Sequence, residues 1–205
     1  KFTPDAQFFD SVKFSIKKLR HNLRSKAVLC PGLEVNFKNE IDETEDKWLF
    51  KEGIKDYLQA SLDGLDCIPS IPFVASFKTK EEQLDCALTW TENSSNVTTE
   101  SFVNLIPTIG GGTHVNGLRS GLTDALKEFC EFRNLIPKNI KLTPDDVWQR
   151  IAYVLSIKIL DPQFSGQTKE RLSSRECASF VSSVVKDSFS LWLNQHTDIA
   201  EKIAE

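Results

Sequence analysis

The sequence predicts an α+β fold, a mixed sheet with helices on one face. Segments with strand alternation and segments with helical spacing follow one another irregularly, without the strict alternation of a doubly wound sheet. The chain has 205 residues, 40% of them hydrophobic and 26% charged, which is enough and ordinary enough to bury a sizeable core. Nothing between Leu33 and Glu205 has the composition of a flexible linker and no internal repeat is visible. Residues 1–205 therefore read as one domain.

Pro4-Asp5 predicts the start of a short helix, and a longer helix follows from about Ser11 to Lys26. In it Val12, Ile16, Leu19 and Leu23 recur at helical spacing as a core stripe, with Lys13, Lys17, Arg20 and Arg24 on the adjoining flank. Leu33–Phe37 alternates and Trp48–Phe50 returns after an acidic turn (Asn39 to Asp46), the pattern of a hairpin. Gly53 precedes a helix to about Leu62, and Ile68 to Pro72 reads as a connection. Phe73–Phe77, Gln83–Trp90 and Thr99–Ile106 read as three further strands, the last two joined by the polar turn Glu92–Thr98. Gly110-Gly-Gly-Thr-His114 launches a helix carrying Val115, Leu118, Leu122, Leu126 and Phe129, which ends near Asn134. Thr143-Pro-Asp-Asp146 has the form of a capped helix start. Ala152–Leu160 is an apolar strand. Ser173 or Ser174 then caps a long helix running to the chain end, with Cys177, Val181, Val184, Ser188 and Trp192 along one face.

The formal net charge of −4 argues against a general nucleic-acid coat protein, although a local basic surface remains open. No run of about 18 apolar residues occurs, and no signal-type segment opens the chain. The chain starts at Lys1 and contains no methionine, which points to a piece excised from a longer protein. The five cysteines (Cys30, Cys67, Cys86, Cys130, Cys177) are odd in number and form no CxxC pair, so reduced thiols in a cytosolic protein fit better than disulfides or zinc. On that reading the sequons at Asn93 and Asn96 are loop residues and not glycosylation sites.

Two places could hold a phosphate. In Asp161-Pro-Gln-Phe-Ser-Gly-Gln-Thr-Lys169, a strand runs into an exposed loop with Gln167 and Lys169 at its tip. In an extended segment residues two apart share a side, so an ammonium and an amide donor could converge on one anion. A solvated turn is the plain alternative. The second place is Gly110–Gly112, where glycines and a helix N-terminus permit close backbone approach. It lacks the Lys-Ser/Thr of a Walker loop and any ribose-binding acid, and a lone glycine triplet before a helix is more often a tight turn. His21, His114 and His196 stand beside no recognisable Ser or Cys arrangement. Asp145-Asp146 suits a helix N-terminus, and no acidic metal triad appears, so no metal ligands are assigned. Read from its residues alone, the chain offers phosphate contacts without a complete active site.

The run from Asp161 to Lys169 resembles the transducer loop of the ATP-driven type II DNA topoisomerases, in which a Gln and a Lys reach the γ-phosphate of ATP. Phe2-Thr-Pro-Asp5, Ser101-Phe-Val-Asn104 and Gly111-Gly-Thr-His114 with Gly117-Leu-Arg119 are similar to the bacterial type IIA, or gyrase B, family. Lys26–Gly32, Asn104–Thr108, His114–Arg119, Glu128–Asn134 and Thr168–Ser174 resemble the topoisomerase IV branch more than the gyrase branch.

The resemblance spans nearly the whole chain and implies a transducer domain with the fold of ribosomal protein S5 domain 2. It implies that Lys169 contacts the γ-phosphate with Gln167 beside it, and that Arg119 faces the cavity holding the transported duplex. The catalytic Glu, the Mg²⁺-binding Asn and the glycine-rich lid would belong to a separate ATPase domain. ATP and Mg²⁺ are therefore expected in the full-length protein and neither in this piece alone, which would be inactive by itself. The implied partners are DNA, a second copy of the ATPase-bearing chain on ATP binding, and the DNA-cleaving chain of an A2B2 heterotetramer, all in the cytoplasm and without a membrane. The implied work is coupling of ATP binding and hydrolysis to strand passage, decatenation and relaxation. Two competing readings remain: a stand-alone nucleic-acid module using the Lys13–Arg24 stripe, and a phosphate-binding enzyme centred on Gly110–Gly112.

Overall fold

The computed structural model describes residues 2–92, 97–137 and 140–204. The sequons at Asn93 and Asn96 lie outside them. Strand β7 (Ile151–Lys158) is buried along almost its whole length, the mark of a strand covered on both faces. It is the centre of a five-stranded sheet with β3 (Cys67–Lys78), β4 (Gln83–Thr91), β5 (Thr99–Val103) and β6 (Ile106–Pro107), ordered β3-β4-β7-β5-β6. The β3–β4, β4–β7 and β5–β6 pairs are antiparallel, whereas β5 runs parallel to β7. The sheet is mixed as predicted. Consecutive β4 and β5 are not neighbours, however, because β7 inserts between them.

Alternation of side chains across the sheet creates two cores. On one face Leu84, Cys86, Leu88, Tyr153, Leu155 and Ile157 meet α3 (Thr113–Arg133) and α5 (Glu176–Gln195). On the other, Ala87, Phe102, Ala152 and Val154 meet α1 (Ile16–Leu29) and α2 (Ile54–Ser61) through Val28, Leu29, Ile54, Tyr57 and Leu58. The expectation of helices on one face is thus corrected: helices cover both. The small Ala87 and Ala152 let the second pair of helices approach the sheet. Helix α3 lies so close to α5 that a Cβ at Gly117 would stand 2.4 Å from the Ala178 carbonyl oxygen, and one at Gly121 2.6 Å from that of Ser182.

The N-terminal expectation is corrected too. Pro4-Asp5 opens a turn, with Asp5 Oδ1 accepting from Gln7 N, and no helix starts before Ser15, whose hydroxyl caps α1. Val12 is exposed, and Ile16, Leu19 and Leu23 are only half-buried; the helix buries its end instead, at Ala27, Val28 and Leu29. The hairpin exists as β1 (Val35–Asn39) and β2 (Thr44–Trp48), but its return arm is corrected: Thr44–Trp48 forms it, starting within the stretch expected to turn, and Leu49 and Phe50 lie outside the strand. Ile68–Pro72 is no mere connection but an irregular stretch within β3, where the register with β4 shifts. The Thr143 cap is present as a capping box with Asp146 on α4 (Pro144–Trp148); those hydrogen bonds hold the Asp146 carboxyl below its usual range.

The terminal helix breaks at His196, which stacks on Trp192, and the chain continues as α6 (Thr197–Ala204). The break turns Ala200 into the core and lets Arg133 pair with Glu201 at 3.0 Å. The face of α5 is also one residue off expectation beyond Val181: Val185, Phe189 and Leu193 are the buried ones. Neither Ser173 nor Ser174 caps α5, whose N-cap is Arg175.

Candidate functional site: the Gln163–Ser173 loop and its cradle

Those two serines close a loop. Ser174 Oγ accepts from Gln163 N at 2.9 Å, and Ser173 N donates to Gln163 O at 2.8 Å. Phe164 bridges Leu172, and Ser165 N donates to Arg171 O at 2.9 Å. The tip, Gly166 to Lys169, is a turn in which Lys169 N reaches Gly166 O at 3.3 Å. Gly166 has φ 115° and Lys169 φ 57°. The premise of an extended tip is therefore corrected: Gln167 and Thr168 sit in a turn and Lys169 in the left-handed region, so strand alternation does not place their side chains. Both Gln167 and Lys169 are exposed, and Lys169 Nζ stands 5.9 Å from the centroid of the Phe164 ring. Phe164 itself packs against the main core, so the lysine extends from a fixed base.

The returning arm lies against the glycine turn. Leu172 N donates to Gly111 O at 3.0 Å, Thr113 N to Leu172 O at 3.1 Å and Gly110 N to Glu170 O at 2.8 Å. Arg171 Nη1 adds a bond to Gly110 O at 2.9 Å. The backbone N–H groups of Gly110, Gly111 and Thr113 thus all donate to carbonyls of the protein, that of Gly111 to Thr108 O. The glycines serve close packing of two segments, and the phosphate-binding reading of Gly110–Gly112 loses those three donors.

Beneath this turn His114 is fully buried, its Nε2 3.0 Å from Thr108 Oγ1, which in turn meets Ser101 Oγ at 2.7 Å. Burial holds the imidazole down to about 4, so it is neutral and structural at neutral pH. His21 and His196 are exposed, away from any nucleophile arrangement.

Arg119, on α3, hydrogen-bonds Asp145 Oδ1 and lies with its guanidinium 5.8 Å from the Trp148 ring centroid. Its side chain keeps 35% of its exposure. The basic stripe is divided. Lys13 and Lys17 are exposed, but Arg20 pairs with Asp46 at 2.6 Å and Arg24 stacks on Tyr57 at 4.7 Å. Half of the surface required by the stand-alone nucleic-acid reading is therefore occupied internally. Among the described residues no group of three His, Cys, Asp or Glu could hold a metal, and no helix is long and apolar enough to cross a membrane. All five cysteines are free, and burial pushes the Cys86 and Cys177 thiols up to about 12.

Sequence reasoning located the loop tip and missed what holds it: Arg171 and Phe164. Their only sequence signal was membership of motifs, since a hydrogen bond across 61 residues of chain, such as that of Arg171 to Gly110, leaves no local trace.

The family model described as DNA gyrase B fits residues 53–205, and the chain belongs to that family. Among curated relatives, the B subunits of DNA topoisomerase 4 from Salmonella typhimurium and from Escherichia coli K12 are each 56% identical over 204 residues, covering 100% of this chain and 32% of the relative. The chain thus spans about a third of the length of these relatives. A solved Francisella tularensis topoisomerase IV ATP-binding domain, in complex with a small-molecule inhibitor, superposes with TM-score 0.81 at 40% identity, over 98% of this chain and 54% of that one. The 43K ATPase domain of Thermus thermophilus gyrase B, in complex with an aminocoumarin, gives 0.79 at 28% identity, over 98% and 54%.

Proposed function

We propose that this chain is the transducer portion of a topoisomerase IV B subunit, with the S5 domain 2-like fold, and that Lys169 with Gln167 contacts the γ-phosphate of ATP held by an adjoining ATPase domain. The supporting observation is the loop itself. An exposed ammonium is carried on a turn whose base is closed by backbone and side-chain bonds to Gln163, Ser165, Gly110 and Gly111. A charge so placed gains Coulomb energy only when a phosphate arrives, so it can bias a two-state arrangement of domains. In the full-length protein ATP would supply the reactive phosphoryl group and Mg²⁺ would neutralise its charge. This chain supplies the anion contact, and its described residues offer no cluster for the metal.

In this reading the loop's state passes through the Gly110–Gly112 turn into α3 and, by the tight Gly117 and Gly121 contacts, into α5. The assembly works in the cytoplasm on DNA, with the A subunit in an A2B2 arrangement and a second B subunit joining when ATP binds. The outcome is strand passage, serving decatenation, relaxation and chromosome segregation. The piece alone is inactive. Arg119 faces the transported duplex; because its pairing with the largely exposed Asp145 is worth about 1 kcal/mol or less, a DNA phosphate can displace that carboxylate.

In the full-length protein with its A partner, Lys169→Ala should abolish or strongly reduce ATP hydrolysis and strand passage while leaving the melting temperature unchanged. Unaltered turnover removes the sensor role. Arg119→Ala should lower DNA stimulation of turnover and spare basal hydrolysis; equal stimulation would take Arg119 out of the DNA path.

A further inference from the structure

The parallel pairing of β5 with β7 ends at Val103 and Ile157, yet the ladder continues for two residues through one side chain. Asn104 N donates to Ile157 O at 2.9 Å. Its amide then copies a backbone strand: Nδ2 donates to Ile159 O at 2.9 Å, and Oδ1 accepts from Ile159 N at 3.0 Å. Ile159 stands two residues before Asp161, where the loop carrying Lys169 departs. Asn104 and Leu105 are the central residues of the β5–β6 hairpin, at φ 48° and 65°. A two-residue turn of this kind asks only for residues that tolerate the left-handed region, and glycine would serve. The two bonds to Ile159 are additional to anything the turn requires. The far side of the turn is fixed as well, since Lys26 Nζ donates to Leu105 O at 2.5 Å.

We infer that Asn104 is a positioning residue for the γ-phosphate contact, clamping the root of the loop at Ile159 so that Lys169 is presented in one place. The inference rests on the proposed role of Lys169. Asn104 is exposed, so its hydrogen bonds add little to global stability and its variants are expected to fold. Geometry at a reacting centre is far more sensitive, because displacement of a contacting group by about 1 Å can cost on the order of a hundredfold in rate.

The test uses the full-length protein assembled with its A partner. Asn104→Gly keeps the backbone conformation and removes both bonds; Asn104→Asp keeps the acceptor and sets a second oxygen against the Ile159 carbonyl. Both should raise amide exchange of residues 159–173 without nucleotide. Both should lower turnover about tenfold or more and weaken a non-hydrolysable ATP analogue while leaving ADP affinity unchanged. Adding Asn104→Gly to Lys169→Ala should lower turnover no further, since coupled residues are not additive. Unchanged exchange and turnover would overturn the inference. So would equal losses for ADP and the analogue, or an added loss in the double variant, which indicate general loosening. If Lys169→Ala itself has no effect, the sensor reading fails, and the exchange measurement still decides whether Asn104 holds the loop.

Discussion

A Cβ placed on Gly112 would stand 2.2 Å from the carbonyl oxygen of Leu172 and 2.6 Å from its nitrogen. This contact is where the glycine turn and the Lys169 loop become one structure, because the bonds of Leu172 to Gly111 and Thr113 require the two backbones to touch.

Substitution at Gly112 is accordingly expected to be severe. Gly112→Ala meets backbone, which cannot swing aside, at φ 134°, and the loss should reach about 3 kcal/mol or more. Gly166→Ala is the control: its φ is 115° but nothing lies within 4 Å, so only conformational strain remains, about 1–2 kcal/mol. Urea denaturation of the two variants should separate them by the steric term.

The packing of α3 on α5 sets two opposing effects against each other. Glycine inside a helix costs about 1 kcal/mol relative to alanine, so Gly117→Ala and Gly121→Ala should stabilise if propensity decided. The new methyl would instead stand 2.4 Å from Ala178 O or 2.6 Å from Ser182 O, and forcing the helices apart costs about 1–3 kcal/mol or more. Both variants should therefore lower the thermal midpoint, and a rise in either would show that the helices can separate freely.

His114 makes stability depend on pH. Its imidazole is lowered from 6.5 to about 4 in the folded chain by burial alone. Between those values the unfolded chain binds the extra proton, so stability is fully present above about pH 6.5 and falls as pH drops towards 4. The slope should approach about 1.4 kcal/mol per pH unit. His114→Gln should remove that slope from a denaturation series over this range. A series parallel to that of the unaltered chain would show that other groups carry the acid sensitivity.

Much of the molecule was legible in local pattern. The helix opening at Thr113, the Thr143 cap, the hairpin after Gly32, the strand at Gln83 and the exposed loop tip at Lys169 follow from periodicity, caps and turn chemistry, all of which act within a few residues. Relations between distant segments were not. Whether the apolar run Ile151–Lys158 is covered once or twice depends on where α1 and α2 land. Whether Arg20 and Arg24 are free depends on Asp46 and Tyr57 arriving beside them. Ser173 and Ser174 carry the signature of helix caps yet are recruited to Gln163, because closing the loop brings that backbone nearer than the helix needs them.

The sequence by itself determined most of the kinds of element, the family and the exposed loop tip, since these reside in short-range spacing and motif wording. Tertiary structure alone decided the insertion of β7 between β4 and β5, the second helical layer, the Asn104–Ile159 bonds, and the cradle of Gly110–Gly112 and Arg171 at the base of the Lys169 loop. Each of those depends on backbone hydrogen bonds and close contacts between segments far apart in the chain. Only the folded topology brings such groups within about 3 Å of one another.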